Sequence, residues 1–417
     1  MHRNRTWQID PEELRTQRNR ILPIEGGDGS TLSLDFTTGV LDPRLTFTRS
    51  TTGTYINSSG YVTSAAIDAP RFDYDPTALT ARGLLIEGSA VNYVLQSAVN
   101  TFPSPWSTAG TNLPTTTVAY TGGGFAPDNI TRPTRIQFGL NAGGSASRLL
   151  QATAYTTNPT TAAPYTVSVW MKSNTPGTSY SINIYKATGN NLVTVTDSWQ
   201  RFTVVNTSGT SLVGYIYISN ESASVAADIL IWGVQLEAGN GASSYIPTGA
   251  STGSRQADFA VLSDLSAIGF NTAGGSMVMR GYQTKLSSGS YPALAAFLDS
   301  GDVGVFGILN DVAGAVMFGR FQGTSTSAEA TRTITNNAAY AFGMSADPTI
   351  TTGAITVSMN GSSTTANKIG SATAITTPTK FAITRPGYGL YINCGTIRSI
   401  KYWPSIKTAA ELNSLTT

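Results

Sequence analysis

The apolar residues of this chain come in short alternating runs, and that pattern most narrows what it can fold into. "TVSVW", "SINIY", "GYIYIS" and "AITVSM" are each five or six residues long and are separated by Gly, Asn and Pro. β-Branched and aromatic side chains at every second position give a strand one apolar face. A long surface helix instead needs Glu, Lys, Ala and Leu. Only 12% of the 417 residues are charged, about half the share of an ordinary soluble domain, and Thr, Ser, Gly and Asn take their place. The expectation is a mostly β chain with hydroxyl-rich surfaces, and 40% hydrophobic content is enough to fill real cores.

The runs fall into four blocks. Residues 1–27 carry Arg3, Arg5, Arg15, Arg18 and Arg20 among acids, and Trp7, Ile9 and Leu14 as apolar anchors. Asp10-Pro11-Glu12-Glu13 reads as a helix start, with an N-cap, Pro at the first helical position and acids in the first turn. A helix of about ten residues does not stand alone, so the block is expected to be a peg that attaches to another protein. Residues 28–97 hold short strands and a hairpin turning at Ser58-Ser59-Gly60. They are thin in apolar residues, which predicts a β-rich neck completed by neighbouring copies, as in a homotrimer. Residues 98–250 and 256–417 each supply enough strands for an antiparallel sandwich of jelly-roll type, with the boundary in "PTGASTGSRQAD". Thr408 and Glu411 predict a capping box on one last helical turn.

Several chemistries are excluded from the body of the chain. The single histidine is His2, so a Ser-His-Asp triad or a histidine metal site has no base there. Cys394 has no His partner and reads as a small buried hydrophobe. Gly122-Gly123-Gly124 lacks the Lys-Ser/Thr of a phosphate loop. No metal or cofactor is implied. Net charge of +2 gives no bulk attraction for nucleic acid, and no apolar run approaches the roughly 18 residues of a membrane span. The N-terminus lacks the apolar core of a secretory signal, so folding in a cytoplasm is expected.

Two readings remain for the acids. Asp73 and Asp75 share one face of an extended segment, as paired carboxylates of a glycosidase would, or they cap turns, since Asp75 precedes Pro76. Asp228 and Glu237 flank "ILIWGVQ" with the same ambiguity. Aromatic rings are the more natural carriers of a sugar-binding role, because sugar C–H faces stack on them. Trp106, Tyr155, Tyr180, Tyr185, Tyr282 and Tyr291 are the candidates for exposed rings, whereas Trp170, Trp199 and Trp232 read as core. Few Lys or Arg cluster in residues 98–417, so binding is expected to depend little on salt.

One long stretch carries a resemblance. Thr46–Tyr55 ("TFTRSTTGTY"), Pro70–Pro76 ("PRFDYDP"), Arg82–Glu87 ("RGLLIE") and Asn92–Ser97 resemble a module widespread in proteins of tailed bacteriophages and prophages, with "AVN" where that module usually has "RTN". In that family a sandwich resembling a carbohydrate-binding module follows, and its end is similar to Ile229–Thr248. Residues 256–417 resemble a concanavalin-like or laminin G-like jelly roll that finishes on a strand and a short helix. The resemblance implies a virion fibre or spike on tail or head, homotrimeric, attached to other virion proteins and binding host surface polysaccharide. It places "RFDYDP…RGLLIE" in scaffold. The rivals are a polysaccharide depolymerase of glycoside hydrolase type and a ligand-free capsid or collar decoration protein.

Overall fold

The computed structural model describes residues 27–102, 104–152, 164–186, 191–206, 215–285, 293–310, 316–323, 326–335, 337–384 and 394–417. The peg residues Arg3, Arg5, Trp7, Ile9, Leu14, Arg15, Arg18 and Arg20 lie outside them, as do Tyr155 and Tyr291.

The chain is mostly β, built of antiparallel sheets stacked as sandwiches. The first sandwich has two five-stranded sheets. One runs in the order Gln200–Asn206, Tyr165–Ser173, Ala227–Ala238, Thr134–Phe138, Thr115–Thr117. The other runs Leu192–Val195, Tyr180–Lys186, Tyr215–Asn220, Ser147–Ala152, Trp106–Ala109. The alternation read in the sequence sets the faces. Val167, Val169, Met171, Ile229 and Ile231 of the first sheet meet Leu149, Ile182, Ile184, Ile216 and Ile218 of the second in one core. The residues between them, Ser168, Trp170 and Trp232, face away from that core yet are also buried. A sheet whose second face is covered as well must have something docked on it.

The second sandwich corrects the expected neck. Its eight-stranded sheet runs Ser362–Ala366, Ile355–Met359, Ala338–Ala346, Gly275–Lys285, Cys394–Trp403, Ala81–Ile86, Phe72–Tyr74, with Leu32–Asp35 also paired to Cys394–Trp403. Its seven-stranded sheet runs Thr46–Thr48, Phe259–Leu262, Lys380–Ile383, Ala293–Leu298, Gly304–Asn310, Val316–Gly323, Thr326–Thr333. Residues 28–97 therefore join a core built by the same chain. Leu32, Leu34, Phe36, Leu45, Phe47, Leu84 and Ile86 join the core of the C-terminal sandwich, with Met277, Phe297 and Phe381. The block is short of apolar residues because most of the core it joins is supplied by residues 257–402 of the same chain.

Two smaller pairings tie the sandwiches together. Ala90–Asn92 pairs with Gly253–Arg255, holding the two linkers side by side. The hairpin Gly53–Ile56 with Val62–Ala65 turns as its sequence suggested, with Asn57 Oδ1 accepting from Ser59 N and Tyr61 N across the turn. The C-terminal helix Ala409–Leu415 starts on the expected Thr408–Glu411 capping box and buries Leu412 against Val278 and Trp403. No helix among the described residues is long and apolar enough to cross a membrane.

Each buried Leu or Phe contributes about 1.5–3 kcal/mol by leaving water, so the C-terminal sandwich depends on the N-terminal block. Residues 256–417 expressed alone should give no cooperative unfolding transition by circular dichroism. In the full chain Leu84→Ala should cost about 2–5 kcal/mol in urea titrations.

Candidate carbohydrate-binding surface

The charged residues of the motif segments converge, but not on an active site. Arg49 Nη1 lies 3.1 Å from Asp258 Oδ1, and Arg71 reaches both Asp258 and Glu87, the latter at 2.7 Å. Arg255 Nε lies 3.4 Å from Glu87 Oε2. All five side chains are sealed from solvent. Further bonds go to backbone and to Ser244: Arg49 donates to the Thr51 and Ala66 carbonyls, Arg71 to that of Thr54, and Glu87 accepts from Ser244 N and Oγ. Burial alone would raise the Glu87 carboxyl, but Arg255 and Arg71 outweigh it and hold the group at about 2. Every carboxylate oxygen here is already engaged, so the cluster is a structural node that pins five chain segments.

The other acids have structural partners too. Asp75 caps its turn by accepting from Thr77 N and Ala78 N and pairs with Arg82 at 2.7 Å. Asp73 is buried and accepts from Ile56 N at 2.7 Å, anchoring the hairpin. Glu237 accepts from Ser243 N and Gln235 Nε2. Asp228 holds Arg135 through two bonds of 2.9 and 2.6 Å.

The aromatic candidates do not assemble. Trp106 is fully buried in the first core, its Nε1 donating to Gln96 O at 3.1 Å. "FPSPWSTAG" looked like a loop because of its prolines, yet a strand begins at Trp106. Tyr180 is half-buried against that core and donates to Thr175 Oγ1. Tyr185 lies opposite Tyr217 in its strand, and only its backbone is described. Tyr282 is half-buried in the other sandwich, with the Arg82 guanidinium 5.0 Å over its ring.

A different set does assemble, on the covered outer face of the first sandwich. Trp170, Trp232 and Tyr245 pack edge-on and tilted, with ring centroids 4.6–5.7 Å apart. Val62 of the hairpin and Ala126 close over them. Gly233, at φ 65°, makes this possible: a Cβ there would fall 2.7 Å from the Trp170 ring. Trp199 lies at the rim of this cluster, only half-buried, and its Nε1 donates to Phe125 O at 3.1 Å. Phe125 is 46% exposed. Arg132 lies over the Phe125 ring at 4.0 Å and Lys172 over Trp199 at 5.7 Å. Next along the face, Tyr120 packs with Arg135, and Asn174 Nδ2 donates to Asp228.

This rim offers exposed ring surface bordered by N–H donors, the combination that takes a sugar. Sequence reading placed Trp199 in the core with Trp170 and Trp232, and only the latter two are buried. The available signal was position. Trp199 follows the turn Asp197-Ser198 directly, and Phe125 follows three glycines.

No protein-family model matches the chain, and no curated protein matches it. Among solved structures the chain is similar to the Ruminococcus gnavus IT-sialidase CBM40 bound to α2,3-sialyllactose, at 16% identity over 35% of this chain and 83% of that one, TM-score 0.29. It is also similar to the receptor-binding domain of botulinum neurotoxin C/D mosaic serotype, at 8% identity over 38% of this chain and 40% of that one, TM-score 0.30. The binding domain of Paraclostridial Mosquitocidal Protein 1 gives 11% identity, 38% and 40% coverage, and TM-score 0.30.

Stability near the node should depend on pH in a definite direction. Burial pushes Asp73 up to about 6, so between pH 6 and 4 the folded chain holds a proton that the unfolded chain lacks. Stability from this group therefore rises as pH falls through that window. Below pH 4.5 the reverse holds for Glu87, whose depressed pKa makes stability fall with falling pH. Asp73→Asn keeps an acceptor for Ile56 N and should raise stability at pH 7 by up to about 3 kcal/mol, with the gain vanishing near pH 4. Urea titrations of both proteins at a series of pH values read this directly.

Proposed function

We propose that this chain is a virion protein of a tailed bacteriophage, a fibre or spike on tail or head that adheres to host surface polysaccharide. The observation that carries the binding role is the Trp199–Phe125 rim, where part-exposed rings meet Arg132 and Lys172. The virion role is supported by the motif residues Arg49, Arg71 and Glu87, which stand in the segments resembling the phage module and form the buried node. The protein binds without cutting: the acids of the motif segments are tied into turns, backbone and arginines. Residues 1–27 attach it to other virion proteins, and it acts as a homotrimer assembled in the host cytoplasm. The core of each chain closes within that chain, so oligomerisation serves valency rather than folding. A shallow aromatic site supplies about 1 kcal/mol per ring, and many copies on one particle raise retention strongly.

The test is retention of the purified protein on host envelope polysaccharide, with product analysis of the same mixture and light scattering for stoichiometry. Trp199→Ala and Phe125→Ala should each weaken retention by about tenfold, which is about 1.4 kcal/mol; thermal unfolding is unchanged for Phe125→Ala and lowered for Trp199→Ala, whose ring also packs on the buried cluster. Newly released oligosaccharides would establish the depolymerase reading instead. Absence of retention by the native trimer would leave the decoration reading.

A further inference from the structure

Charge on the Trp199–Phe125 surface is unevenly committed. The acids near it have partners: Asp228 accepts from Arg135, Asp128 from Ile130 N, Thr131 N and Thr131 Oγ1, and Asp197 from Gly177 N. Two cations do not. Arg132 and Lys172 make no ion pair among the described residues, and each is held over a ring, Arg132 on Phe125 and Lys172 on Trp199. The Trp199 Nε1–H donates to the backbone carbonyl of Phe125, which ties the Trp199 ring to the segment that carries Phe125, so the two cations border one surface. Arg201 differs: it lies over Trp170, inside the covered joint, and donates to Ser243 O and Ser168 Oγ.

We infer that the polysaccharide taken by this surface is acidic, and that a sugar carboxylate is bound by Arg132 and Lys172 beside Trp199 and Phe125. This rests on the binding role proposed above and adds the ligand class. A guanidinium held against a ring keeps its fork of N–H donors free at its edge, the geometry that grips a carboxylate through two bonds. The ring also limits the rotamer freedom that the side chain would lose on binding. Carboxylate, rather than polyanion in general, follows from number. Two cations match one charged sugar at a time, whereas densely charged chains are held by long basic stripes. Arg132 and Lys172 are 40 residues apart in sequence, so the cationic pair exists only in the fold, and the weak salt dependence expected from sequence is replaced by a marked one.

The experiment uses the full native chain and three immobilised acidic polymers: polygalacturonate, hyaluronan and polysialate. Each is paired with its carboxyl-reduced form, and dextran sulfate serves as a charge-only control. The expected result is retention on at least one acidic polymer, about tenfold weaker when its carboxyls are reduced to alcohols. Retention should also weaken as salt rises from about 50 to about 500 mM. R132Q combined with K172Q should lose the preference for the acidic form while keeping the native thermal unfolding. Equal retention on a polymer and its reduced form, or stronger retention on dextran sulfate, would overturn the inference, and neither readout depends on a variant folding. If host polysaccharide is retained and no acidic polymer is, the acidic class is wrong and the adhesin stands. If host polysaccharide also fails, the binding role falls with it.

Discussion

Two buried carboxylates, Glu87 and Asp258, hold three buried arginines, and the relative placement of the two sandwiches depends on that node. Its members come from just after the strand Thr46–Thr48 (Arg49), just before Phe72–Tyr74 (Arg71), just after Ala81–Ile86 (Glu87) and the segment after the first sandwich (Arg255, Asp258). Ser244, from the end of the first sandwich, donates to Glu87. A buried ion pair is an uncertain source of net stability, but leaving one charge without its partner typically costs about 3–5 kcal/mol. The node therefore acts as a register device. This arrangement of the segments gives every oxygen of both carboxylates a partner and engages both Nη atoms of Arg49 and of Arg71. Arg255 is balanced by charge alone, since its guanidinium nitrogens lack hydrogen-bond partners among the described residues while its Nε stands 3.4 Å from Glu87.

The joint beside the node determines where a ligand can sit. The hairpin 53–65, held by Asp73 through Ile56 N and by Val62 N donating to Pro127 O, lies on the outer face of the first sandwich and seals Trp170, Trp232 and Tyr245. The same coverage stops short of Trp199 and Phe125. A face that would otherwise be a continuous aromatic band is divided into a buried structural half and a half-exposed rim. Along the rim the Trp199 indole N–H is held by the Phe125 carbonyl, and each of the two rings carries a cation. Ligand sites commonly lie at the edges of such joints, where two walls meet.

Much of the fold was legible from local pattern. Period-two alternation marked the sandwich strands, Ser58-Ser59-Gly60 the hairpin and Thr408–Glu411 the last helix. The node was not legible, because its physics is non-local. Arg49 meets Asp258 across 209 residues and Arg71 meets it across 187, and no window of sequence shows a charge being neutralised at that distance. For the same reason residues 28–97 read as an unfinished neck, although Leu32 pairs opposite Tyr402. Trp199 and Trp106 were exchanged in role. Prolines made the buried ring look exposed, and a strand pattern made the rim ring look buried. Which face of a sheet is doubly covered is decided by what docks on it, and strand alternation alone does not report that.

Hydrogen–deuterium exchange on the full chain, with and without saturating host oligosaccharide, tests most directly the claim that the rim of the joint is the glycan site. The account predicts slowed exchange confined to the loop 120–132 and to the turn and strand start at 196–200, with the node segments around Arg71 and Asp258 already protected and unchanged. Protection appearing instead around Tyr282 in the C-terminal sandwich, with 120–132 and 196–200 unaffected, would contradict it.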